Sequence, residues 1–309
     1  MPDTPHVIIL MAVYNGEAAL ADQLDSIAAQ THENWHLVAS DDGSTDRSAE
    51  ILSRFAQDHP VTILRGPGQG AARNFLSLLD HATEAFPGSW VALSDQDDHW
   101  YPDKLARACV ALSPGQPDQP ALYCSRVMIA DADLAPLKPS PARPRPPGFL
   151  NALVQNIVPG NTVVLNPAAA RLAGEVAGRV DRVVVHDWWL YQLVTGAGGR
   201  IHHDDAPSLL YRQHAANEIG ANDGLAARLA RIGMIFDGTY RAWNDINIAA
   251  LDLAADRLTP QSALTLAHFK AARSRGLFGR VRGFARLGLY RQTWASSATL
   301  WLQIVLGRC

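Results

Sequence analysis

Cysteine is scarce. Cys109, Cys124 and Cys309 are the only three in 309 residues. They are widely spaced and form no metal-ligand pattern, which excludes a disulfide scaffold and a cysteine-based zinc site and fits a reducing compartment. No run of about 18 apolar residues occurs, so no membrane-spanning helix is expected. The opening carries only a five-residue apolar run, Val7 to Met11, between polar residues, and does not read as a secretory leader. There is no internal repeat. From Lys270 onward there is no acidic residue. No nucleic-acid recognition motif is present, so that partner class is set aside.

What is present divides by charge. The formal net charge of −3 hides two parts. Residues 225–309 hold twelve Lys/Arg against four Asp, a balance of +8, and the rest holds 15 basic and 26 acidic residues. An acidic body suits cation-assisted chemistry, and a basic tail suits an anionic surface. The hydrophobic fraction of 48% allows a sizeable core.

The first 112 residues alternate between two periods. Val7–Met11, Trp35–Ala39, Val61–Leu64 and Trp90–Leu93 read as strands. Segments 17–30, from about 46, 70–85 and 102–112 read as helices, with Pro102 in a first turn. Strict alternation predicts right-handed βαβ units, hence an α/β protein with a mostly parallel sheet flanked by helices. Residues 113–224 read as a second half of the same domain. Leu122–Ile129, Thr162–Leu165, Val183–Val185, Arg200–His202 and Leu209–Tyr211 are expected strands there. The six prolines between Pro136 and Pro147 predict an extended loop. Residues 225–309 form an expected helical, basic C-terminal region. Within it Trp294, Ala298, Trp301, Leu302 and Val305 make a stripe on a helix too short to span a bilayer, and arginines 273, 275, 280, 282, 286 and 291 precede or border it. Peripheral contact of 270–309 with anionic lipid is one expectation, and packing on protein is the other.

Two acidic clusters follow strands, Asp41-Asp42-Gly43-Ser44-Thr45-Asp46 and Asp95-Gln96-Asp97-Asp98. Carboxylates packed this closely repel unless a cation or hydrogen-bond donors compensate. In parallel α/β sheets, ligands bind beyond the strands' C-terminal ends. A divalent ion, Mg²⁺ or Mn²⁺, carrying a diphosphate would satisfy the second cluster. Asp41 and Asp42 suit a base imide and a ribose hydroxyl; an Asx-turn with a capped helix is the plainer reading. Tyr14, in Val13-Tyr14-Asn15-Gly16, could stack on a base, or the segment is only a turn. Gln69–Asn74 opens a helix whose N-terminus favours anions, with Arg73 in reach of a phosphate or solvated.

Taken together, Val13-Tyr14-Asn15, the Asp41–Asp46 run, Gln69–Asn74 and Ser94-Asp95-Gln96-Asp97-Asp98-His99-Trp100 resemble family 2 glycosyltransferases of the GT-A fold, nearest the bacterial rhamnosyltransferase-like branch. The resemblance spans roughly residues 5–220. It implies a metal-dependent inverting transfer of a sugar, with rhamnose from dTDP-rhamnose as one candidate, from a nucleoside-diphosphate sugar to a saccharide or lipid-linked saccharide of the cell surface. Donor contacts would come from Tyr14, Asp41, Asp42, Arg73, Asp95, Asp97 and Asp98, with Asp98 orienting Asp97 or the donor sugar instead of binding the ion. Asp97 would ligate the metal, with His214 in the Tyr211-Arg212-Gln213-His214 stretch as a further ligand. Asp187, in His186-Asp187-Trp188-Trp189, would be the catalytic base, although many members carry Glu where this chain has His186. His186 would face the acceptor or tune Asp187, and the tryptophans would face the acceptor; the two indoles are not expected to both face the core, one being the candidate sugar platform, with two semi-buried packing residues as the plainer reading. The implied location is the cytoplasm, at the inner face of the cytoplasmic membrane. Nucleotidyl transfer and a non-catalytic nucleotide-sugar-binding subunit are the alternatives.

Overall fold

A computed structural model describes residues 4–213, 233–234 and 237–309. Its centre is a seven-stranded sheet in the order β10-β6-β9-β4-β1-β2-β3. The first four strands are β1 (Val7–Val13), β2 (Trp35–Asp41), β3 (Val61–Arg65) and β4 (Trp90–Ser94). They pair in parallel, β1 lying between β2 and β4. Successive strand side chains point to opposite faces, and both faces of β1 are buried. Ile8 and Leu10 join one core with Phe75, Leu78 and Leu79, while Val7, Ile9, Met11 and Val13 join another with Leu20, Leu24 and Leu105. This is why β1 reads as a continuous apolar run instead of an alternating one.

The helices of the first half follow the expected pattern: α1 (Leu20–Ala28), α2 (Ser48–Phe55), α3 (Ala71–Ala85) and α4 (Lys104–Leu112). The second half extends the sheet through β6 (Ala121–Ser125), β9 (Val164–Leu165) and β10 (Arg200–Asp204). Short β9 runs antiparallel between β4 and β6, so the sheet is mixed. Three helices follow in this half, α5 (Phe149–Ala152), α6 (Pro167–Ala177) and α7 (His186–Gly196).

Three expectations are corrected. The expected strand Leu122–Ile129 is two strands. Its end, β7 (Met128–Ala130), joins a second sheet of order β5-β11-β7-β8 with β5 (His99–Trp100), β8 (Pro136–Pro139) and β11 (Leu209–Arg212). The proline-rich segment therefore begins as an edge strand, a position where proline's missing N–H is tolerated. Val183–Val185 is not a strand; it is the irregular lead into α7.

The described C-terminal region contains α8 (Thr239–Leu253), α9 (Pro260–Arg273), α10 (Leu277–Leu287) and α11 (Trp294–Leu306). These helices pack on the body through a third core that joins Leu153 and Val154 to Leu251, Phe269, Phe284 and Ile304. Trp188 meets Trp243 edge-on, ring centres 6.3 Å apart. Three of the six arginines are structural. Arg291 donates to the Val154 carbonyl and to Gln303, Arg280 donates to the Ile304 and Val305 carbonyls, and Arg273 pairs with Asp245. Arg275, Arg282 and Arg286 stay exposed. So do Trp294, at 93%, and Phe278, at 89%. Among the described residues no helix is long and apolar enough to cross a membrane.

Close packing of α3 on α6 depends on Gly174. A Cβ there would stand 1.6 Å from Thr83 Oγ1 and 2.8 Å from the Leu79 carbonyl oxygen. Gly174→Ala is expected to lower unfolding free energy by roughly 1–3 kcal/mol, the usual range for overpacking. Gly276→Ala, where a Cβ meets nothing within 4 Å, is expected to be near neutral. Urea denaturation of both variants checks this; equal stabilities would contradict the packing described.

Candidate active site

The pleated register brings the strand ends together. Val13 pairs with Asp41, Asp41 with Arg65, and Met11 with Ser94. The four loops that follow β1 to β4 therefore open on one edge of the sheet.

The first two loops brace each other. Asn15, at φ 47°, donates its backbone N–H to Ser44 Oγ and accepts through Oδ1 from the Thr45 N–H. Gly16 N–H donates to Ser48 Oγ and Glu17 N–H to Asp46. Asp41 Oδ1 accepts from the backbone N–H groups of Gly43 and Ser44, so the Asx-turn reading holds for it. Asp42 reaches the third loop instead: its two oxygens accept from the N–H groups of Gly68 and Gly70 at 2.7 and 2.8 Å. Both glycines sit at positive φ, which only glycine adopts freely. Tyr14 leaves its side chain 58% exposed while Gln96 clamps its backbone, Oε1 accepting from the Tyr14 N–H and Nε2 donating to the Tyr14 carbonyl. Gln96 thus ties the β1 loop to the β4 loop. Arg73, in the first turn of α3, donates to the Val180 carbonyl at 2.7 Å; it is anchored to the second half instead of being free in solvent.

The β4 loop carries the acidic cluster. Asp95 and Asp97 are half-buried. Asp98 is fully buried, and its Oδ2 accepts from Asn161 Nδ2 at 2.6 Å. Its other oxygen, Oδ1, is buried with no hydrogen-bond partner. Burial, with Asp95 and Asp97 nearby, raises the Asp98 pKa well above the carboxylate range. Lys104 is equally buried; it donates to the Asn161 carbonyl at 2.9 Å and lies 3.0 Å above the centre of the Trp100 ring. Burial pushes its pKa well down. This burial leaves the Asp98 carboxyl no exposed surface for a ligand and fits the orienting role implied for it: it holds the loop from inside.

Asn161 lies in the single turn Gly160–Thr162. The same turn meets Asp187. A Cβ on Gly160 would come 3.4 Å from Asp187 Cβ and 2.7 Å from His186 Nε2, so this site admits only glycine without displacement. Asp187 opens α7, where Oδ1 accepts from the Trp188 N–H at 2.6 Å. It keeps partial access to solvent but is hemmed in by protein, and this desolvation pushes its pKa up to about 6, against bonds from Trp188, Asn156 and Gly160 that pull it down. A helix N-terminus would favour the carboxylate; here desolvation outweighs it. His186 stacks on Phe75 of α3, ring centres 3.9 Å apart. Burial lowers its pKa to about 3, so it is neutral at ordinary pH and its Nε2 has no partner. His186 joins α7 to α3 by packing.

The expectation that one indole turns outward is overturned. Trp188 is 6% exposed and donates from Nε1 to the Ala152 carbonyl; Trp189 is 0% exposed. The sheet covers α7 on one side and α5 and α8 cover it on others, so both faces of that turn are interior. Neither indole can serve as an open platform. His214 lies outside the described residues. Among those described, no group of three His, Cys, Asp or Glu side chains could hold a metal alone. Gln96, Asn161 and Lys104 are the site residues that sequence reasoning missed. The one available signal was Gln96, sitting inside the acidic motif.

Parts of the chain are similar to known proteins. Residues 8–139 match the family model described as Glycosyl transferase family 2. The dTDP-rhamnosyl transferase RfbG of Shigella flexneri is 29% identical over 246 residues, covering 75% of this chain and 81% of that protein. The UDP-Glc:alpha-D-GlcNAc-diphosphoundecaprenol beta-1,3-glucosyltransferase WfgD of Escherichia coli is 30% identical over 99 residues, 32% of this chain and 38% of that protein. In structure, S. aureus TarS 1–349, solved in complex with UDP-GlcNAc, superposes with a TM-score of 0.53 at 12% identity, covering 98% of this chain and 89% of that one. Residues 8–139 of this chain are therefore similar to glycosyl transferase family 2, and the chain as a whole has the GT-A fold.

Proposed function

We propose that this chain is an inverting glycosyltransferase that moves a sugar from a nucleoside diphosphate to a cell-surface glycan acceptor. One observation carries the reading: the Gly160–Thr162 turn joins the acidic β4 loop, through Asn161 and Asp98, to Asp187, against which Gly160 packs. Donor end and base are then neighbours. Tyr14 stacks on the base of the nucleotide, Asp41 and Asp42 hold the nucleoside edge, and Asp95 takes the ribose side. Arg73 lies toward the diphosphate. RfbG's own name supports rhamnose on dTDP as the donor, and WfgD's supports a saccharide carried on a lipid diphosphate as the acceptor.

The cluster's chemistry fits a divalent cation, Mg²⁺ or Mn²⁺. Half-buried Asp95 and Asp97 share one loop with buried Asp98, whose pKa their charges help to raise, and a cation at Asp95 and Asp97 would relieve that crowding. Asp97 would be the protein ligand, with His214 as a further one and diphosphate oxygens completing the shell. When bound, the ion neutralises charge developing on the departing nucleoside diphosphate.

Asp187 acts as the general base. Its carboxylate takes the proton of the acceptor hydroxyl as that oxygen bonds to the anomeric carbon; the carbon–oxygen bond to the diphosphate breaks and its electron pair leaves with the nucleoside diphosphate. A carboxyl near pKa 6 is a stronger base than a solvated one yet still ionised at pH 7. Nucleotidyl transfer would instead release diphosphate from a nucleoside triphosphate, which product analysis separates.

The exposed Trp294 and Phe278, together with the exposed Arg275, Arg282 and Arg286, support a second reading of the tail: peripheral docking on anionic lipid at the inner face of the cytoplasmic membrane. Aromatic side chains enter the interface and each arginine near the surface adds about 1 kcal/mol.

Asp187→Asn is expected to fold, to keep donor-dependent thermal stabilisation, and to lose about 10²–10⁴-fold in turnover. A panel of nucleotide sugars with Mg²⁺ or Mn²⁺ provides the assay; unchanged turnover would remove Asp187 from the mechanism. The wild-type rate is expected to fall about tenfold per pH unit below the Asp187 midpoint of about 6, because protonation removes the base. Stability runs the other way. The folded pKa lies above the ordinary value of 3.8, so protonation favours the fold, and this contribution is lost as pH rises from about 4 to about 6. Parallel pH–rate and pH–melting series test both signs. For the tail, co-sedimentation with phosphatidylglycerol vesicles is expected to be strong in the wild type and lost in a Trp294→Ser, Phe278→Ser double variant; equal binding to neutral vesicles would contradict the docking.

A further inference from the structure

A cavity of about 410 Å³ opens between the proline-rich loop and the edge strand β10, lined by Arg143, Arg145, Ile201, His202, His203 and Asp205 together with three prolines. Its positive groups outnumber the one acid. Arg143 is half-buried, makes no hydrogen bond or ion pair among the described residues, and has a buried Nε without a partner. Burial lowers the pKa of His203, and the positive charges of Arg143 and, less, Arg126 add to that against Asp205 and Asp204. The nearby acids leave this charge uncompensated. Asp204 is committed to Arg107 and to the Tyr123 hydroxyl. Asp205 has a side chain 77% exposed and stays 3.9 Å from His203 Nδ1. Partly desolvated like charges without a counter-ion are unfavourable, and an oxyanion relieves them through charge-assisted bonds.

The walls are built rather than incidental. Arg145 is fixed: its backbone N–H donates to Gln292, its guanidinium donates to the Arg291 carbonyl, and it lies 4.3 Å from the Tyr290 ring centre. Arg126 donates to the Ser140 carbonyl, which holds the start of the loop. His202 stacks on Tyr123 with ring centres 5.7 Å apart. The helix that Asp187 opens, α7, packs on the cavity's strand β10 and meets the end of the proline-rich loop, where the Gly148 N–H donates to the Tyr191 hydroxyl at 2.8 Å.

We infer that this cavity is an oxyanion-binding site that seats a phosphate or carboxylate group of the acceptor. Ownership by the acceptor rests on the glycosyl-transfer reading above; the oxyanion site itself does not. The two sources of the anion are a sugar carboxylate and a phosphate of the acceptor's carrier, and they call for different probes.

The test is calorimetric titration of the full chain with methyl β-D-glucuronide and, separately, with methyl phosphate, repeated on Arg143→Met and Arg143→Lys, with melting curves to confirm folding. At least one probe is expected to bind the wild type. Arg143→Met is expected to weaken it by about tenfold or more, and Arg143→Lys by less. The histidine ring resonances of His202 and His203 should shift on binding in the wild type and stay fixed in Arg143→Met. Preference for the glucuronide assigns a sugar carboxylate, and preference for methyl phosphate assigns the carrier. Failure of both probes to bind the wild type, or equal binding by a folded Arg143→Met, overturns the inference. Because no donor is present, the result is independent of whether Asp187→Asn loses turnover.

Discussion

One buried hydrogen bond organises the site: Asn161 Nδ2 to Asp98 Oδ2 at 2.6 Å. A fully buried carboxyl is costly unless satisfied, so the β4 loop and the turn before β9 must stay together for either to fold as it does. Lys104 reinforces the link by donating to the Asn161 carbonyl. Because Gly160 packs on both His186 and Asp187, the constraint passes to the start of α7. The antiparallel strand β9 follows from the same geometry: the chain must return between β4 and β6 to deliver Asn161 to Asp98.

The rest of this sheet edge is held largely by bonds to backbone groups. Asp42 spends both oxygens on Gly68 and Gly70, and Gln96 spends its whole amide on Tyr14. These bonds preorganise loops that leave the Tyr14 ring exposed together with Asn15, Gly43 and the Gly68–Gly70 turn. Preorganisation of this kind lowers the entropic cost of placing a ligand. The Asp187 side is built differently. Asp187 is tuned by desolvation rather than by a charged partner, while His186 stays neutral and contributes shape.

Much of this was legible in the sequence because it is local. Continuous apolar runs marked β1 to β4, the helical spacing of Phe75, Leu78 and Leu79 marked α3, and carboxylates just past Ala39 and Leu93 marked the strand ends where ligands gather. What was illegible is long-range. Gln96 acts on a backbone 82 residues away, Asn161 on a side chain 63 away and Lys104 on a carbonyl 57 away. Trp188 and Trp189 were read from helix geometry with one covered face, but α7 is covered on several. The tail arginines likewise looked alike in sequence; only packing separates Arg273, Arg280 and Arg291, which cap and brace helices, from Arg275, Arg282 and Arg286, which face water.

The central claim is that the acidic β4 loop and the Asp187 carboxylate form one site for a metal-bound diphosphate and its sugar. A crystal structure of the chain soaked with Mn²⁺ and a nucleoside diphosphate sugar tests it most directly. The account predicts an anomalous manganese peak at Asp97, diphosphate density beside the Gly66–Gly70 loop, and the sugar between that ion and Asp187. Manganese or nucleotide density elsewhere on the sheet, with Asp187 out of reach of the sugar, would contradict it.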